Sequence, residues 1–276
     1  MAEKSKWEAR LRKEPVDLRR KVEADIGNGA LMNEIRGDTI YQMLRGGAEA
    51  SPEAIAITSP GCEPMTYGQL FEQVDFVIKS LTKAGIARND RIAIVMRNSA
   101  EMIAAFLGIS CIGISAPINP RYTKQEIFSF LADLPATALL IQSGATSRAA
   151  LAARELGIPV FEVTPAPNTI CRFTLKDPAL SSLAQHRLPN SDDVALILHT
   201  SGTTSKPKKV LLTHRNLCAS ALAIRDSLRL KSSDRCLNVM PLFHIHGLVG
   251  GCWHPWQPTL VSLQHRILTL ISFSTG

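Results

Sequence analysis

Ten consecutive residues, TSGTTSKPKK from Thr200 to Lys209, carry five hydroxyls, one glycine and three lysines. Thr200, Ser201, Thr203, Thr204 and Ser205 each offer an O–H donor. Gly202 lacks a Cβ, so its backbone can approach a ligand closely and turn its N–H outward. Lys206, Lys208 and Lys209 add positive charge, and Pro207 stiffens the exit. Donors and cations at this density suit a polyphosphate. They also describe a solvated Ser/Thr/Lys turn, and composition alone leaves both readings open.

Other motifs fit less well. A Walker A loop needs a second glycine followed by Lys and Ser/Thr, which this run lacks, and no G-x-G-x-x-G occurs. Ser205 and Lys208 have the S-x-x-K spacing of penicillin-binding nucleophiles, without the partner motifs. Further along, His244 and His246 are either core histidines with satisfied nitrogens or groups that face a ligand. With Cys252 and His254 they suggest zinc, but H-x-H-x5-C-x-H is not the spacing of a structural site, and no metal site is expected. Asp192 and Asp193 read as acidic turn residues where a strand begins.

These residues need a scaffold, and the periodicity supplies one. Strand patterns occur at AIAIT (54–58), RIAIVM (91–96), CIGISAPIN (111–119), ATALLIQ (136–142), IPVFEV (158–163) and DVALILHT (193–200). Helical patterns alternate with them at 66–85, 99–109, 123–134, 147–157 and 214–230. Thr66 can cap its helix, and Thr123 with Glu126 has the spacing of a capping box. Alternation of this kind predicts an α/β fold of βαβ units, with a parallel sheet covered on both faces by helices. Ligands of such sheets sit beyond the carboxyl ends of strands, and the hydroxyl–lysine run lies at one such end. A loop-rich linker is expected from PAPNTI to about Asn190.

Length and charge narrow the function. The chain has 276 residues and a formal charge of +7. Its few aromatics are not interleaved with basic residues as a base-stacking surface would be, so a small phosphorylated ligand is expected and nucleic acid is not. Six scattered cysteines without a C-x-x-C pair, and no apolar stretch behind the first basic residues, predict a reduced cytoplasmic protein without a signal peptide. The apolar run Met102 to Ile118 approaches membrane-span length, but its glycines, small polar residues and proline predict a buried helix running into a buried strand. Residues 6–29 read as a charged helix or flexible extension, and Met32 as an alternative start.

The segment TSGTTSKPKKVLLTH closely resembles the signature phosphate loop of the adenylate-forming acyl-ligase superfamily, T-S-G-[ST]-T-G-x-P-K-G-V. This superfamily includes acyl-CoA synthetases, coumarate–CoA ligases and oxalate–CoA ligases. MPLFHIHGLVG (Met240 to Gly250) resembles the next motif, while TYGQL and PINPRYTKQEIFSFLADLPATALLI resemble earlier ones. The likeness runs from about Ile35 to Gly250 in the expected order.

The resemblance implies ATP-dependent activation of a carboxylic acid to an acyl-adenylate, then transfer to CoA or a phosphopantetheinyl arm, which could belong to a carrier protein. Its fold implication is layered parallel and mixed sheets covered by helices, as an incomplete large N-terminal domain. It implies that Thr200, Ser201, Gly202, Thr203, Thr204 and Lys208 hold the phosphates of ATP. By the same likeness, His244 lies near the reacting carboxylate and His246 lines the acyl pocket. Ser205 and Lys209 depart from the family's glycines. A serine at a left-handed position costs about 1 kcal/mol, and Lys209 is expected to add charge beside the phosphates. The TTS-[KR]-PK form, with Lys206 at its fourth position, also resembles the oxalate–CoA ligase branch.

The implied organisation is a charged extension (1–31), a partial AMP-binding domain (32–251) and a divergent tail (252–276). In that tail Leu260, Leu263, Ile267 and Leu270 have the spacing of one helical face. The segment that packs adenine and holds Mg²⁺, the ribose-binding aspartate and the lid domain with its catalytic lysine do not occur in the sequence. A broken reading of an acyl ligase is one expectation, and a non-catalytic fragment with residual phosphate binding or an interaction role is the other.

Overall fold

The computed structural model describes residues 38–59, 63–143, 148–167, 172–176, 187–200, 208–230, 234–250 and 260–263. All of these belong to one compact unit, Gly37–Gly276. Strands β3 (Arg91–Val95), β4 (Ile114–Pro117), β5 (Ala138–Gln142), β6 (Val160–Pro165) and β8 (Val194–Thr200) are parallel, in the order β6-β5-β3-β4-β8. Helices α3 (Ala100–Ser110), α4 (Lys124–Asp133) and α5 (Arg148–Glu155) cross between them, as the alternation predicts. Ile92 to Val95 and Ala138 to Ile141 are all buried, so both faces of these strands are covered. Antiparallel strands close the edges: β7 (Phe173–Lys176) beside β6, and β9 (Lys208–Thr213) beside β8. The sheet is therefore seven-stranded and mixed.

Short polar side chains set the helix starts. Thr39, Ser99 and Thr123 accept from the backbone N–H three residues on and open α1 (Ile40–Ala50), α3 and α4. Thr66 and Thr213 do the same for α2 (Tyr67–Lys83) and α6 (His214–Leu228). At Thr66, Thr123 and Thr213 the third residue returns the bond and completes a capping box. Helix α3 is buried on every side and runs into buried β4, so the long apolar stretch is core.

Helices α2 and α3 meet at Gly108. A Cβ there would lie 2.6 Å from Val77 Cβ. Gly108→Ala should cost about 2 kcal/mol in urea unfolding through overpacking. Val77→Ala in the same chain should recover part of that loss, a coupling that two independent sites would not show.

A second sheet has the order β10-β11-β1-β2, from β10 (Arg235–Asn238), β11 (Leu260–Leu263), β1 (Ile55–Thr58) and β2 (Met65–Thr66). The sequence reading differs here. Leu260 and Leu263, expected on one helical face, lie in a strand, because parallel partners flank it: Ile57 pairs with Val261 and Cys236 pairs with Val261 from the other side. Ile267 and Leu270 lie outside the described residues. Helix α1 was not foreseen from periodicity, since Gly46 and Gly47 fall within it.

Candidate functional site

Strands β8 and β9 form a hairpin. Thr200 pairs with Lys208 and His199 with Lys209. The hydroxyl–lysine run therefore joins the two strands of an antiparallel hairpin. Val210, Leu211 and Leu212 extend the pairing before Thr213 starts α6. Ser201, Gly202, Thr203 and Thr204, with Ser205, Lys206 and Pro207, lie outside the described residues, as does the Thr200 side chain. The connection leaves the carboxyl end of β8, on the side where parallel β3 and β4 also end. Ser110 Oγ donates to Ala195 O at 3.1 Å and fixes β8 against the end of α3.

Neighbouring strand residues point to opposite faces, so Lys208 and Lys209 part company. Lys209 turns toward α4. Its Nζ donates to Asp133 O at 2.8 Å and lies 2.9 Å from Asp133 Oδ2. Lys209, expected to add charge beside the phosphates, thus has a carboxylate partner at the C-terminal end of a helix, where a cation is favoured. The Lys209 bond holds the Asp133 carboxyl below its usual range. His199, opposite Lys209, sits edge-on to Phe130, with ring centroids 4.5 Å apart. Phe130 in turn stacks on Tyr122 at 5.2 Å. His199 Nε2 is 3.8 Å from Asp133 Oδ2, buried and without a hydrogen bond. Burial lowers the His199 pKa against the pull of Asp133.

His244 and His246 are both exposed, which removes the alternative of core histidines. They lie on a turn that ends in a π-helical segment, His246–Gly250. Buried Asn238 shapes this turn, donating from Nδ2 to Gly247 O at 2.9 Å and accepting at Oδ1 from Met240 N at 3.1 Å. Asn98, just past the carboxyl end of β3, donates to Met240 O at 3.0 Å and accepts from Leu242 N at 2.9 Å. The histidine turn is thus tied to the edge of the large sheet from which the hairpin connection also leaves. Sequence reasoning missed Asn98, Asn238, Asp133 and His199, whose partners lie on other elements. Only Asn98 gave a signal, as an amide directly after a buried strand.

The family model described as AMP-binding enzyme matches residues 44–257. The chain belongs to the AMP-binding enzyme family. Curated relatives in this family include a probable CoA ligase of Humulus lupulus, 33% identical over 226 residues, which cover 77% of this chain and 41% of the relative. An oxalate–CoA ligase of Arabidopsis thaliana is 33% identical over 218 residues, covering 78% and 42%. The chain thus spans about two fifths of the length of these AMP-binding relatives. The fold matches the crystal structure of ATP-bound MatB from Rhodopseudomonas palustris with a TM-score of 0.70 and 23% identity, over 87% of this chain and 48% of that one.

Proposed function

We propose that this chain supplies the phosphate-receiving part of an ATP-dependent acid–thiol ligase. The observation that supports the reading is the pairing of Thr200 with Lys208, on either side of the hydroxyl-rich stretch, in the β8–β9 hairpin at the carboxyl edge of the sheet, in a member of the AMP-binding family. In the reaction, a substrate carboxylate attacks the α-phosphorus of ATP, pyrophosphate leaves and an acyl-adenylate forms. A thiol of CoA or of a phosphopantetheinyl carrier then takes the acyl group and releases AMP. The task for the protein is to let an anion approach a polyanion, which preorganised donors and cations make possible. Thr200, Ser201, Gly202, Thr203 and Thr204 hold the β- and γ-phosphates, and Lys208 adds charge at the mouth of the hairpin. His244 orients the carboxylate and His246 lines the acyl pocket.

No group of three potential metal ligands gathers among the described residues. No helix among them is long and apolar enough to cross a membrane. Burial pushes the Cys111 and Cys218 thiols up, Cys218 to about 12, which suits unreactive thiols in a cytoplasmic protein. The division into a charged extension (1–31), a partial AMP-binding domain (32–251) and a tail (252–276) remains part of this reading. A phosphate-binding module without turnover is the second reading. Pyrophosphate–ATP exchange with candidate acids separates the two. Lys208→Ala should weaken pyrophosphate binding about tenfold, as expected for a lost charge-assisted bond. Unchanged affinity in calorimetry would remove the phosphate role.

A further inference from the structure

The hairpin has its own anchor. Lys209 reaches across 76 residues of sequence to Asp133, the last residue of α4, and meets both its carbonyl and its carboxylate. His199, directly opposite on β8, packs edge-on to Phe130 one turn earlier on the same helix. Both strands of the hairpin are thus fastened to one helix end, each by the residue next to the paired Thr200 and Lys208. Phe130 stacks on Tyr122, in the segment leaving β4, so the anchor is continuous with the carboxyl edge of the sheet.

We propose that Lys209 is a positioning residue: by holding Asp133 it sets where Lys208 and Thr200 present the mouth of the phosphate hairpin. This rests on the phosphate-binding reading above. Its physical content is the opposite of direct contact. A lysine at the family's glycine position could be bound to the phosphates itself, and then Asp133 would compete for it. A lysine that acts by gripping Asp133 loses its ion pair when that carboxylate is neutralised and keeps only the bond to the Asp133 carbonyl. The two roles predict opposite signs for a change at Asp133.

The test uses the full 276-residue chain, with inorganic pyrophosphate and Mg·ATP titrated separately in a calorimeter. Lys209→Met and Asp133→Asn should each weaken binding about fivefold, near the limit for an exposed pair, and the double variant should lose no more than either alone. Lys209→Arg should stay within about twofold of the unaltered chain, because it restores the grip. Thermal midpoints of all variants serve as the folding control. If Asp133→Asn leaves affinity unchanged or raises it while Lys209→Met lowers it, Lys209 touches phosphate and the positioning role is wrong. If Lys208→Ala weakens binding but neither Lys209→Met nor Asp133→Asn does, the anchor idea fails alone. No binding by the unaltered chain, or none lost with Lys208→Ala, overturns the phosphate reading and this inference with it.

Discussion

Gly247→Ala should destabilise the protein by about 3 kcal/mol, at the upper end of what overpacking costs. A Cβ at this position would lie 2.3 Å from Pro241 O and 2.8 Å from Pro241 C. Both are backbone atoms, so no side chain can swing aside. The turn must open, and Gly247 O would leave the buried Nδ2 of Asn238 without its acceptor. Gly250, in the same π-helical segment, is the control. Nothing lies closer than 3.7 Å to a Cβ built there, so Gly250→Ala should stay within about 0.5 kcal/mol. Urea unfolding of the two variants reads the difference directly. Equal midpoints would mean that the turn is not packed as described. The consequence reaches the site, because His244 and His246 ride on this turn.

The second large effect is an acid one. His214 is fully buried, and its Nδ1 accepts from Ile40 N at 3.2 Å, joining the start of α6 to the start of α1. Burial lowers its pKa to about 4, with Asp193 pulling the other way. Accepting that bond requires a neutral Nδ1. The unfolded chain binds a proton at this residue below about pH 6.5, while the folded chain resists doing so until about pH 4. Between those values the unfolded state holds more protons, so stability falls as the pH falls. The loss from this one residue should reach about 3 kcal/mol at pH 4. Above pH 7 it contributes no slope. His214→Gln keeps an acceptor for Ile40 but does not titrate. It should remove this part of the acid slope while leaving that of the carboxylates. A variant whose stability declines between pH 7 and 4 as steeply as the unaltered protein would refute the assignment.

What could be read in advance followed from local physics. Thr123 and Glu126 announce a capping box because both partners lie within four residues. Ile92 to Val95 and Ala138 to Ile141 read as strands because full burial leaves an unbroken apolar run. Strand β9 escaped because Lys208 and Lys209 resemble the end of a polar loop, although charge is common on an edge strand. Strand β11 escaped because LVSL fits helix or strand equally, and only its partners Cys236 and Ile57, far off in sequence, decide. The same holds at the site. The hydroxyl–lysine run stood out by composition, but the pairing of Thr200 with Lys208 on either side of it did not. The grip of Lys209 on Asp133 depends on the register of β9 and the length of α4, and neither is written near residue 209.

The strand order of the large sheet also dictates a schedule for synthesis. Strands β3, β4, β5 and β6 can assemble as they emerge, each beside one already made. One flank of β4 then stays bare until β8 arrives some eighty residues later, a wait of about 4–15 s at ordinary translation rates. The β8–β9 hairpin, which carries the candidate site, joins the large sheet after the other described strands of that sheet have been made. A ribosome pausing between residues 117 and 194 would hold that flank open to any passing strand, which makes this interval the one where a chaperone would matter most.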